Sequence, residues 1–158
     1  MKAASIAEIK KELATRSPKE VLELCLRLGK FKKENKELLT YLLYEAQDEA
    51  GYIITVKNEI EEHFLGMNRT RVFFVKKTLR KILRMIAKYA RYSKQKTTEV
   101  ELRLYFCQQL KTHKIPYHRY LVLNNMYDRE IVKIKKIVAT LHEDLQYDYM
   151  EELHELGA

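Results

Sequence analysis

Three observations predict an all-α protein, a single domain of about seven helices arranged as a bundle or as a short stack of antiparallel helix pairs. Apolar residues recur at spacings of three and four along most of the chain, which matches the period of a helix and not the alternation of a strand. Four Gly and two Pro in 158 residues leave too few turns for a many-stranded sheet. Helix-start signals stand in front of several of the periodic runs. A chain of this length buries roughly 70% of its unfolded surface, so it needs no disulfide or metal to hold it together.

Ser5 opens a capping box with Glu8, and Ile6, Ile9 and Leu13 follow, so a first helix is expected to about Ala14. Ser17-Pro18-Lys19-Glu20 combines a capping serine, a proline at the first helical position and a glutamate that reaches back to the cap. The second helix is expected over residues 18–28, with Gly29 as the left-handed residue that ends it. Residues 34–46 supply a third, and the short connection makes this pair antiparallel. Val21, Leu22, Leu24, Cys25, Leu26 and Leu28 against Leu38, Leu39, Leu42 and Leu43 are expected to place the hairpin at the centre of the core. Gly51 breaks the pattern, and Ile53, Val56, Ile60 and Phe64 mark a fourth helix that stops at Gly66.

The fifth helix is the long one, over residues 68–96, capped by Asn68 or Thr70. Asn68-Arg69-Thr70 also spells a glycosylation sequon, but the cap is the preferred reading. A polar turn at residues 93–97 and a capping box from Thr98 to Glu101 introduce a sixth helix over residues 99–112, although Val100, Leu102 and Leu104 alternate as a strand would. After Ile115-Pro116, residues 117–156 contain neither Gly nor Pro, and Ile131, Ile134, Val138, Leu141, Leu145, Tyr149, Leu153 and Leu156 keep helical spacing. Forty residues is long for one helix of a compact domain, so a bend is expected at Asn124-Asn125 or at residues 140–144. Helix pairs about forty residues apart give a HEAT-like layout, without any repeated consensus.

Charge is concentrated in one place. Residues 68–96 hold eleven of the thirty Lys and Arg and none of the twenty-two Asp and Glu, a local charge of +11, which leaves the rest of the chain at −3. On a helical projection Val72, Val75, Leu79, Ile82, Leu83, Ile86, Tyr89 and Ala90 fall on one face. Lys76, Lys77, Arg80, Lys81, Arg84, Lys88, Arg91 and Lys94 fall on the other, with Phe73 in their arc and Phe74, Met85 and Tyr92 at its edges. Cations beside aromatics are what surfaces use to hold phosphates and stack bases.

The residue patterns of the common catalytic and metal sites are missing. Gly29, Gly51, Gly66 and Gly157 stand alone, which excludes a P-loop. A di-iron bundle needs two Glu-x-x-His pairs and further carboxylates, the chain has one pair, Glu151 with His154, and the histidines and cysteines lack metal-ligand spacing, so no metal and no cofactor is expected. Cys107 with His113 or His118 could form a nucleophile pair, but Cys25 and Cys107 both sit among apolar neighbours and read as core thiols. Tyr105, Tyr117, His118, Arg119, Tyr120 and Tyr127 mark a possible polar pocket. With no apolar signal segment in MKAASIAEIKKE and no membrane-length apolar run, the protein is expected to be cytoplasmic with reduced thiols.

These patterns favour a non-enzymatic helical module that binds nucleic acid by phosphate contact through Lys76, Lys77, Arg80, Lys81, Arg84, Lys88 and Arg91. The alternative is a protein-interaction module or homodimer, in which this face meets the acidic C-terminal segment, residues 143–155, with its six carboxylates and no Lys or Arg. The same segment could instead neutralise the stripe within the fold. A membrane surface is the least favoured partner, because the apolar face is needed for the core.

Overall fold

Both N-terminal capping boxes form. In the computed structural model, which describes residues 1–157, Glu8 and Glu20 each accept the backbone N–H of the serine three residues earlier, at 2.7 and 2.8 Å. These hydrogen bonds hold both carboxyls below the usual glutamate range. They start α1 (Ile6–Leu13) and α2 (Pro18–Phe31), and α3 (Lys33–Thr40) follows and runs into a π-helical turn, Tyr41–Glu45. The fold is all-α, with eight α-helices and no strand among the described residues.

The chain divides into two compact units, Met1–Tyr44 and a larger one beginning at Glu45. In the first, α2 and α3 form the expected hairpin. Gly29 does not end α2 but lies inside it, where a Cβ would come within 2.9 Å of Leu39 Cδ1, so the glycine lets α3 approach closely. The helix ends two residues later, with Asn35 Nδ2 donating to Leu28 O at 2.8 Å. The expectation that this hairpin is central to the core fails. None of the residues of α1, α2 or α3 is buried, and Leu22, Leu24, Leu26 and Leu28 stay 42–60% exposed. Leucines spread over two flanks of α2 cannot all be covered by a partner that packs along one of them.

The second unit contains α4 (Glu49–Leu65), α5 (Val72–Ser93), α6 (Lys96–Thr112), α7 (Leu121–Val138) and α8 (Glu143–Glu155). Gly51 does not break the chain. It sits in the first turn of α4, where its N–H donates to the capping Asp48 carboxylate at 3.0 Å, and a Cβ would stand 2.3 Å from that carboxylate. Asn68 and Thr70 do not cap α5, because the Asn68 side chain is turned onto the Thr70 N–H and hydroxyl, and the helix begins after Arg71. Lys94, left-handed at φ 60°, closes it.

The centre of this unit is α6, which packs against α4, α5 and α7 and has nine of its seventeen residues buried. Its alternation at Val100, Leu102 and Leu104 comes from a helix covered on several sides, where every position is free to be apolar. The Thr98 capping box is not formed. The Thr98 hydroxyl donates to Glu49 and Glu99 binds Arg103, since α6 already starts at Lys96. A 3-10 turn, Tyr117–Arg119, leads into α7. The long C-terminal run breaks between α7 and α8, where His142 caps α8, whereas Asn124 lies within α7 and donates to Asp128 at 2.8 Å. Phe64, Phe106, Ile82, Ile86, Ile134 and Leu153 fill the core between these helices.

Candidate functional site

Helix α5 sorts its residues as its periodicity demands. Val75, Leu79, Ile82, Met85, Ile86, Ala90 and Tyr92 are buried, so Met85 and Tyr92 belong to the core and not to the edge of the basic stripe. Val72, Leu83 and Tyr89, expected in the core, are only half-buried. On the other side Lys77, Arg80, Lys81, Arg84 and Arg91 are exposed, and Lys76 and Lys88 are half-buried. Lys76 Nζ lies 5.8 Å from the centre of the Phe73 ring, and Lys88 Nζ 4.6 Å from that of Tyr89.

Four of these cations, Lys76, Lys77, Arg80 and Arg84, form one wall of a groove of about 680 Å³. The opposite wall is α7, which contributes Arg129, Glu130 and Lys133, and Phe73, Leu83, Ala87 and Met126 complete the lining. Lys81, Lys88 and Arg91 lie outside it, Arg91 beside a second depression with Lys94, Gln95, Lys96 and Glu99. Arg129 and Lys133 were not among the sequence candidates. Their spacing of four residues on one helix was a usable signal, hidden by the neighbouring Asp128 and Glu130, which cancel the local charge.

The groove has one carboxylate, and it is already engaged. Glu130 is 2% exposed and accepts from Arg103 Nη1 beneath and from Lys133 Nζ at 2.8 Å. Arg103, 5% exposed, is held from its other side by Glu99, at 2.9 and 2.6 Å. Lys76, Lys77, Arg80, Lys81, Arg84, Arg91 and Arg129 form no ion pair with a carboxylate among the described residues.

The acidic C-terminal segment does not answer them. Helix α8 packs on α7 and borders a recess with Lys57, Glu101, Leu104 and Gln108. Glu101, Leu104 and Gln108 lie on the face of α6 opposite Glu99 and Arg103, so α8 and the basic groove are on different sides of the central helix. Burial, with Glu101 nearby, pushes the Glu152 carboxyl up, and the same two causes push the Tyr149 hydroxyl up to about 12.

The other candidates separate. Cys107 is fully buried, and burial pushes its thiol up to about 12, so no thiolate is available for a Cys-His pair. Cys25, expected to be a core thiol, is only half-buried, and the two cysteines are free. His113 is engaged elsewhere, with Nε2 at 3.0 Å from Glu61 and its ring stacked on Phe64. The tyrosine cluster makes no single pocket. Tyr117 and Tyr127 are buried and stacked at 4.6 Å, Tyr105 points to Glu61, and Tyr120 is exposed.

Among the described residues no group of His, Cys, Asp and Glu comes together that could hold a metal ion, and no helix is long and apolar enough to cross a membrane. Comparison with protein-family profiles, with curated proteins and with solved structures finds no match to this chain.

Proposed function

We propose that the protein is a non-enzymatic helical module of the cytoplasm that binds nucleic acid through phosphate contacts along α5, with Arg129 and Lys133 of α7 extending the surface. The observation that carries this reading is the row of exposed cations without carboxylate partners on α5. An isolated basic helix face is usually balanced by acids on a neighbouring helix. Here the neighbouring wall is basic too, and such a surface gains free energy by releasing the counterions of a polyanion.

Salt dependence tests the proposal. About five phosphate contacts imply that log K for a duplex oligonucleotide falls with log salt at a slope of roughly −4 to −5. Substituting Lys77, Arg80 and Lys81 together by alanine should flatten that slope by about three contacts' worth. Because these side chains lie on the exposed face, each change should alter stability by about 0.5 kcal/mol or less, which a parallel thermal melt checks. Absence of binding to DNA and RNA near about 50 mM salt would reject the reading.

A second reading, self-association of the basic face with α8 of another copy, draws on the exposed carboxylates Glu143, Asp148, Glu151 and Glu155. Deleting α8 would remove the buried Tyr149 and Leu153, so the discriminating variant is Glu151→Gln with Glu155→Gln. If light scattering finds a dimer that this variant dissociates, and no nucleic acid binds, the second reading replaces the first.

A further inference from the structure

The basic surface is a groove with two walls, and this shape narrows the ligand. We infer that it takes a single strand in preference to a duplex, with an unpaired base stacked on Phe73; the inference rests on the nucleic-acid reading above. Phosphates account for the cations on both rims but not for the apolar floor, Leu83, Ala87 and Met126, nor for the aromatic at its end. In a duplex the faces of the bases are hidden in the stack, so an exposed ring has nothing to pair with. In a single strand each base offers a free face, and grooves that hold single strands combine cations along the backbone with aromatic platforms.

Phe73 fits that role. The residue is 61% exposed, although it lies in the first turn of a helix whose opposite face packs into the core, and burial of the core does not require it. Phe74 meets it at 5.5 Å with the two rings nearly perpendicular, and Lys76 Nζ lies over one of its faces at 5.8 Å, so a base stacks on the other face with its phosphate in reach of the ammonium. Glu130, the carboxylate in the lining, is tied to Arg103 and Lys133 and so is partly neutralised toward a passing backbone.

The experiment compares an oligothymidylate of about 15 nucleotides with a duplex of equal length by fluorescence anisotropy on the full chain. The single strand should bind about tenfold tighter at matched salt. Phe73→Ala should weaken the single strand roughly tenfold, as loss of one stacking platform does, with little change in its salt slope or in duplex affinity. Lys77→Ala should reduce the slope for both ligands. The chain contains no Trp, so Phe73→Trp installs a sole indole, whose emission the single strand should quench and the duplex should not. If the duplex binds as tightly as the single strand, or Phe73→Ala leaves single-strand affinity unchanged, the inference fails and the phosphate-binding proposal stands. If neither ligand binds, both fail.

Discussion

Glu130 illustrates how much one residue can carry without announcing itself. In sequence it sits in a charged run, Asp128-Arg129-Glu130, yet it is buried and bridges Arg103 of α6 to Lys133 on the groove wall. Removing Glu130 takes away one of the two carboxylates of the buried Arg103 and leaves it with Glu99 alone, so Glu130→Ala should cost about 3 kcal/mol in urea unfolding, the low end for a broken buried pair. Replacing both partners with apolar residues, Arg103→Met with Glu130→Leu, should recover most of that loss. Were the double variant no more stable than the single one, the pair would not be the source of the cost. The two cysteines make the complementary point. Leu-Glu-Leu-Cys-Leu-Arg-Leu and Leu-Tyr-Phe-Cys-Gln-Gln-Leu look alike, but Cys107 lies on a helix enclosed by three others and Cys25 on one that is not.

At the scale of the element, local chemistry was legible and tertiary coverage was not. The capping boxes at Ser5 and Ser17, the period of α5 and the stop at Gly66 all depend on residues within four positions of each other, so sequence contains them whole. Which helix lies at the centre depends on how many neighbours it acquires. The leucine-rich α2 remains exposed, while α6, whose pattern resembled a strand, is enclosed. The exposed face of α5 could be read from its period, but the second wall of the groove could not, because α5 and α7 meet only in the fold. Substitution on α5 separates its two faces. Ile82→Ala, at a fully buried position, should cost roughly 2 to 5 kcal/mol, and Lys81→Ala about 0.5 kcal/mol or less. Comparable losses in urea unfolding would mean that the basic face has a structural role and would weaken the binding proposal.

Across the molecule, the basic and acidic segments were both legible in the sequence, but whether they meet was not. Within the larger unit, α6 separates a basic side, α5 with part of α7, from the acidic α8. A unit charged in this way is drawn basic side first toward a polyanion, so its association rate should fall steeply as salt is added. The enclosure of α6 has a consequence of another kind, in amide hydrogen exchange. A helix covered on several sides can open only when its neighbours leave, so its most protected amides should exchange only through global unfolding of the unit and report that unit's full stability. A ligand that binds the folded state alone, present at about a hundred times its Kd, stabilises it by about 2.7 kcal/mol and should slow those amides about a hundredfold. Occupancy of a groove on the surface would thus be recorded in the proton clock of a helix that the ligand need never touch.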